Sequence, residues 1–213
     1  MTEVRVLSAP WLSSGPAARV LALLNSDGEE ARVVGGAVRN ALLGIDIGDI
    51  DIATTALPAE VIRRAKAASI KSVPTGIDHG TVTLVLEGHP FEVTTLREDT
   101  ETFGRKAKVE FGRDWIGDAH RRDFTINALS VGPDGVVHDH VGGLADIAAR
   151  RVRFIGDPAQ RIAEDYLRIL RFFRIHSAFG RPGGEPGPAG DAGEITGTVG
   201  PALAERRMDA AEA

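Results

Sequence analysis

Residues 44–58 read "GIDIGDIDIATTALP", and they set Asp46, Asp49 and Asp51 among isoleucines. Ionised carboxylates are costly to bury, so two readings compete. One is an amphipathic strand with a solvated acidic face; the other is a metal site. In "DIDIAT" the alternation of a strand sends Asp49 and Asp51 to one side and Ile50 and Ile52 to the other. Carboxylates held that way can share a hard cation, and magnesium favours one or two carboxylates plus substrate phosphates. The D-x-D spacing alone does not choose between the two. Asp46 falls in the loop before the strand and reads as solvated.

The flanking residues add weight to the metal reading. Upstream, "ARVVGGAVRNALLG" gives a short apolar strand at Val33–Val34, a double glycine, and a helix opening at about Ala37. Gly44 suits the end of that helix. Glycine lets a backbone approach a triphosphate, and free helix N–H groups favour anions. Gly36 and Arg39 are therefore candidates for that contact. Neither G-x-G-x-x-G nor G-x-x-x-x-G-K-[ST] occurs. Downstream, "LPAEVIRRAKAA" is a helix with Pro58 in its first turn, and "GTVTLVLEG" and "HPFEVTTLR" are hairpin strands joined at about Glu87–Pro90. Glu92, between Phe91 and Val93, is either a solvent-facing strand acid or a third carboxylate brought beside the D-x-D strand. In the second case it helps hold the ion that activates an attacking hydroxyl.

Further out, residues 11–26 read as one helix, with Leu21, Leu23 and Leu24 buried and Ser13 or Ser14 near its cap. From Arg97 to Trp115 ("REDTETFGRKAKVEFGRDW") charges and glycines predict a mobile loop. Order returns in "RRDFTINALSV", where Asp123 suits the N-cap of a helix over "FTINAL", and in "VVHDHVGG". Residues 159–179 predict one long helix whose apolar face is Ile162, Tyr166, Leu170 and Phe173. Residues 180–200 are rich in glycine and proline and read as flexible, and "PALAERRMDAAEA" is a weak last helix. Eight arginines against three acids in residues 150–181 precede six acids against two arginines in 182–213.

A chain of 213 residues can bury a proper core. Its net charge of -5 argues against a surface that coats nucleic acid. The absence of cysteine excludes disulfides and thiolate metal sites and points to an intracellular, cytoplasmic protein. No secretory signal and no apolar run approaching ~20 residues is seen, so no membrane partner is expected.

Five segments carry a resemblance: "VVGGAVRNALLG…GDIDIATTALP", "HGTVTLVLEGHPFEVTTLR", "RRDFTINALSV", "DHVGGLADI" and "EDYLRILRFFRIHSAFG". In this order and spacing, over roughly residues 30–180, they resemble the class II tRNA nucleotidyltransferase / poly(A) polymerase family. "HGTV" is closer to the CCA-adding branch. The resemblance implies an α/β fold: a nucleotidyltransferase head (1–144) with a small mixed β-sheet and flanking helices. The first part of an α-helical neck (145–180) and a Gly/Pro-rich end (181–213) follow.

It also implies roles. Asp49 and Asp51 match the Mg²⁺-binding D-x-D, and Glu92 the third carboxylate. Gly36 and Arg39 match the triphosphate turn, and Arg122 and Asp123 contact the incoming nucleotide. Asp165 and Arg168, one helical turn apart, match the pair that reads the Watson–Crick edge of C or A; a surface salt bridge is the alternative. Arg171 and Arg174 continue the row, but each step of three rotates by about 60 degrees, so they meet phosphate or another domain. The loop at 97–115 has a gating role in relatives. His138, Asp139 and His140 could suggest a metal cluster; in the family Asp139 and Gly142–Gly143 form a hinge between head and neck.

The implied reaction is addition of C and/or A to the 3′ end of tRNA from CTP or ATP, releasing pyrophosphate. The alternatives are a poly(A) polymerase, or a nucleotide- or RNA-binding subunit that needs a helical body or partner subunit for activity. Two departures stand out. Position 40 is Asn where the family usually has Asp, which weakens any ion pair with Arg39. The sequence also becomes Gly/Pro-rich after one neck helix, where relatives continue through helical domains that grip tRNA.

Overall fold

The computed structural model describes residues 5–103 and 106–180, with side chains described outside 98–110. The Gly/Pro-rich stretch and the last helix expected beyond Gly180 lie outside the described residues.

The sheet grows around two short strands, β1 (Ala31–Val34) and β2 (Asp51–Thr54). Between them runs α3 (Gly36–Leu43), closed by Gly44 at φ 67°, the left-handed turn that glycine adopts without strain. It follows α1 (Pro10–Ser13) and α2 (Gly15–Leu24). The single helix expected over 11–26 is thus divided at Ser14, whose hydroxyl bonds the Pro10 carbonyl instead of capping α2. Leu23 is half-buried; Leu12, Val20, Leu21 and Leu24 carry the packing.

After β2 the chain passes through α4 (Pro58–Ala67) and returns by β3 (Lys71–Gly76), β4 (Thr81–Leu86) and β5 (His89–Thr95). With β8 (Ser130–Val131) and β9 (Val137–His138) these form a seven-stranded sheet ordered β3-β4-β5-β2-β1-β8-β9. Every pairing is antiparallel except β2 with β5. The crossover through α4 is what makes that one pair parallel.

One face of the sheet, including Val33, Ile52, Phe91 and Val93, packs on α1, α2 and α4. The other face carries Val34 and Ala53 with Leu96 and Trp115. β2 does not show the clean alternation expected of it, because Ile52, Ala53 and Thr54 are all buried. A strand central to a sheet with both faces covered loses its polar side.

Three other expectations change. The stretch expected as a loop from Arg97 to Trp115 instead contributes two paired strands, β6 (Arg97–Phe103) and β7 (Lys106–Phe111), followed by α5 (Trp115–His120). Pairing within the ribbon satisfies backbone groups that its charged sequence left open. "FTINAL" forms only a 3-10 turn at Thr125–Asn127 before β8. The long helix over 159–179 is two helices, α7 (Pro158–Glu164) and α8 (Leu167–Phe179). The break splits the expected apolar face: Ile162 is buried and Tyr166 packs beside it, but Leu170 is 67% and Phe173 48% exposed, and Phe172 and Ile175 are buried in their place.

Phe172 and Ile175 join Phe124, Ile126, Val152, Phe154 and Ile162 in a second core, which ties the helices to the turn after Asp123. Beside it, fully buried Asp146 on α6 (Gly143–Ala148) binds Arg151, Arg153 and the Thr125 hydroxyl. Two guanidiniums and a hydroxyl leave that carboxylate fully satisfied, as burial requires.

α6 starts against the Thr125 carbonyl: a Cβ on Gly143 would lie 2.3 Å from that oxygen. Gly143→Ala is expected to cost about 1–3 kcal/mol in urea unfolding. Gly48→Ala, where a Cβ meets nothing within 4 Å, stays within about 0.5 kcal/mol of wild type.

Candidate active site

Asp51 is the first residue of β2, with Val34 of β1 opposite it on one side and Glu92 of β5 on the other. Ile52 and Val93, one step along, face the helices, so Asp51 and Glu92 project together from the opposite face. Asp49 lies two residues before β2 and not within it as expected, yet its charge still reaches Asp51. Burial first, then the fields of Glu92 and Asp49, push the Asp51 carboxyl above its ordinary range; Arg122 pulls it back in part. Among the described residues none forms a salt bridge or side-chain hydrogen bond with Asp49, Asp51 or Glu92.

Asp51 and Glu92, opposite each other on adjacent strands, offer hard oxygen donors of the kind a divalent cation takes. Among the described residues no three His, Cys, Asp or Glu groups come together as a metal site, so an ion held by these two would need water or substrate oxygens for the rest of its shell.

The other flank is cationic. Gly35, at φ 71°, turns the chain from β1 into α3, of which Gly36 is the first residue. The Nη1 of Arg122 stands 3.8 Å from where a Cβ on Gly35 would be. Buried Asp118 holds Arg122 from below, accepting from its Nε and Nη2 at 3.2 and 3.0 Å, and it also pairs with Arg121. From α7, Arg161 donates to the carbonyls of both arginines at 2.7 Å.

Arg39 is buried rather than open to solvent. It donates to Asn127 Oδ1 and, through Nε and Nη2, to the side-chain Oδ1 of Asn40 at 3.2 and 2.9 Å. Its guanidinium lies 3.9 Å from the centre of the Phe179 ring. Burial, then the nearby charge of Arg174, lowers its pKa, opposed by Asp123. Asn40 thus keeps the acceptor role that its lost charge had put in question.

Asp123 does not cap a helix; its Oδ1 accepts from the Phe124 backbone amide at 2.8 Å and the Asn127 side-chain Nδ2 at 3.3 Å, and its other oxygen pairs with Arg171 at 2.8 Å. A relay Arg171–Asp123–Asn127–Arg39 therefore runs from α8 to the glycine turn. Asp165 and Arg168 do not share a helix. Asp165 ends α7 in extended conformation and accepts from the Leu167 amide at 3.0 Å, while Arg168 pairs with Glu164 at 2.6 Å. Arg174 is exposed and, among the described residues, has no ion-pair partner.

His138 and His140 form no metal cluster among the described residues; their rings stack with centroids 6.5 Å apart. Asp139 accepts from four successive amides, Val141 to Leu144, at 2.9–3.1 Å, which fixes the start of α6. Sequence reasoning missed Asp118 and Asn127. Asp118 was legible as the residue three and four before Arg121 and Arg122; Asn127 had no signal beyond its place four after Asp123.

A family model described as the poly A polymerase head domain matches residues 31–153. The chain belongs to that family. A mouse protein named CCA tRNA nucleotidyltransferase 1, mitochondrial, is 47% identical over 163 residues, which is 76% of this chain and 38% of the relative. A CCA-adding enzyme of Bacillus cytotoxicus is 43% identical over 166 residues, 77% of this chain and 41% of the relative. Among solved structures, the Bacillus stearothermophilus CCA-adding enzyme in complex with CTP matches with TM-score 0.69 and 39% identity, over 78% of this chain and 40% of that one. The Thermotoga maritima CCA-adding enzyme complexed with tRNA-CCA matches with TM-score 0.66 and 29% identity, over 85% and 43%. This head-domain chain spans about two fifths of the length of these relatives.

The raised Asp51 pKa has a stability consequence with a definite sign. The folded state holds the proton more tightly than the unfolded state, so stability falls as pH rises from the ordinary carboxylate value through the raised one. Asp51→Asn removes this penalty. Its thermal midpoint is expected above wild type at about pH 7 and level with it at about pH 3, where both forms are neutral.

Proposed function

We propose that this chain is the nucleotide-transferring head of a template-independent RNA nucleotidyltransferase, which adds C and A to the 3′ end of tRNA from CTP and ATP. One observation carries this reading: the parallel β2–β5 register sets Asp51 between Glu92 and a glycine turn flanked by Arg122. Carboxylates on one side and phosphate-binding groups on the other fit metal-assisted phosphoryl transfer. The names of the relatives favour CCA addition over poly(A) synthesis.

In this reading Asp49, Asp51 and Glu92 hold Mg²⁺, which when bound supplies a lowered pKa for the attacking 3′ hydroxyl and charge stabilisation at the phosphates. The Gly35–Gly36 backbone and Arg122 bind and orient the triphosphate. Arg39 acts from beneath that turn, and Arg171 and Asp123 fix its height through Asn127. Arg174 supplies positive charge at the same edge. Asp165 and Arg168 read the base edge; Arg168 leaves Glu164 and the Arg161 carbonyl to do so.

We take residues 1–144 as the head and 145–180 as the start of the neck. Leu167, Leu170 and Phe173, all exposed on α8, support a helical body or partner subunit that covers them and grips the tRNA. No helix among the described residues is long and apolar enough to cross a membrane. A cytoplasmic place of action is proposed from the cysteine-free composition, while the mouse relative is named mitochondrial.

A tRNA lacking its terminal CCA, offered CTP, ATP, GTP and UTP singly and together with Mg²⁺, tests the proposal. Incorporation limited to C and A, and lost by at least about a thousandfold in Asp51→Ala, is expected. Unlimited extension with ATP alone identifies a poly(A) polymerase. Nucleotide binding without turnover identifies a binding subunit, and near-wild-type activity in Asp51→Ala sinks the metal assignment.

A further inference from the structure

Trp115, the first residue of α5, packs on Val34, Ala53 and Leu96. Val34 stands opposite Asp51 in the β1–β2 register, and Ala53 lies two residues beyond Asp51 on β2, so the indole covers the face from which Asp51 projects. Polar contacts hold it as well. Its Nε1 donates to the Glu30 carboxylate at 3.0 Å, and the Arg32 guanidinium lies 4.0 Å from the ring centre. Glu30 also accepts from Arg32 at 3.1 Å, which closes a triangle of three side chains at the start of β1. Just before the helix, Arg113 donates to Glu29 at 2.7 Å and to the Gly28 carbonyl at 2.6 Å.

The far end of α5 leads into Arg122, which stands beside Gly35 at the other end of β1. The two lengths agree. Seven helical steps from Trp115 to Arg122 rise about 10.5 Å, and three strand steps from Arg32 to Gly35 span about 10 Å. We propose that Trp115 is a positioning residue for Arg122: pinned to Glu30 and Arg32, it makes α5 a strut of set length along β1 that holds Arg122 over the Gly35–Gly36 turn. The proposal rests on the nucleotidyltransferase reading above, in which Arg122 binds the triphosphate.

A helix of six residues has no stability of its own, so its place is set by what anchors it. Asp118 fixes the Arg122 side chain relative to α5, since donor and acceptor lie one turn apart on the same segment. It does not fix α5 relative to the sheet. Arg161 grips the Arg121 and Arg122 carbonyls from α7, outside the sheet. Trp115 is the anchor that refers α5 to β1, the strand that carries the glycine turn. Without it Arg122 follows α7 alone, and a displacement of about 1 Å in a phosphate-binding group is enough to weaken binding and turnover up to about a hundredfold.

A mutant cycle on the full chain, read as the Kd of Mg²⁺–CTP, separates positioning from general damage. Trp115→Ala is expected to raise that Kd at least about fivefold in the wild-type background and by less than about twofold when Arg122 is already Ala, because its effect passes through Arg122. Glu30→Gln removes one charge at the foot of the strut and no packing. It is expected to act in the same direction, more weakly, and to be equally silent in Arg122→Ala, so the test stands even where Trp115→Ala does not fold. Trp115→Phe keeps a ring over Arg32 and should recover part of the lost affinity. If wild type binds Mg²⁺–CTP while Trp115→Ala and Glu30→Gln leave the Kd unchanged, or weaken it by the same factor with and without Arg122, the positioning role is overturned and the transferase reading stands. If wild type does not bind Mg²⁺–CTP, both fall together.

Discussion

The parallel pairing of β2 with β5 is the constraint on which the site depends. It places Asp51 against Glu92, two like charges on adjacent strands, which is unfavourable in an unliganded sheet. Burial first, and then the field of Glu92, raise the Asp51 pKa. The hydrophobic face beneath holds the arrangement: Ile52, Phe91 and Val93 are buried against α1, α2 and α4 and cannot slip by one residue without exposing themselves. The core thus enforces a charge cluster that a bound cation would relieve.

The helices after the head are tied to that site by two polar connections over one apolar core. Phe124 and Phe172 meet at 6.0 Å, so α8 is anchored beside the turn that carries Asp123. Over that contact, Arg171 reaches Asp123, and Asn127 passes the connection to Arg39. Arg161 meanwhile pins the Arg121 and Arg122 carbonyls. A shift of α7 or α8 is therefore felt at the Gly35–Gly36 turn. This couples α7 and α8 to the glycine turn and Arg122 through named hydrogen bonds.

Much of this was legible from residues 31–95. Glycines bounded α3, Pro58 opened α4, and the alternating runs gave the β4–β5 hairpin with a two-residue turn at Glu87–Gly88. The parallel partner of β2 was not legible, since pairing between distant strands leaves no local pattern. β3 was missed because it is a mostly exposed edge strand containing Pro74, which gives little apolar signal. The break at Asp165 was missed because "EDYLRILRFFR" carries unbroken helical periodicity; a side chain bonding the Leu167 amide overrides it. The ribbon at 97–111 was hidden by its charges. The candidate acids and arginines were all nameable from sequence, but their counter-ions and the burial of Arg39 needed the fold.

The central claim is that Asp51 and Glu92, set side by side, bind a divalent cation together with a nucleotide. Manganese, which reports its own binding by electron paramagnetic resonance, tests it most directly when titrated with CTP present. Wild type is predicted to bind the Mn²⁺–CTP pair at least about tenfold more tightly than either Asp51→Asn or Glu92→Gln. Equal Mn²⁺ affinity in all three proteins would contradict the account.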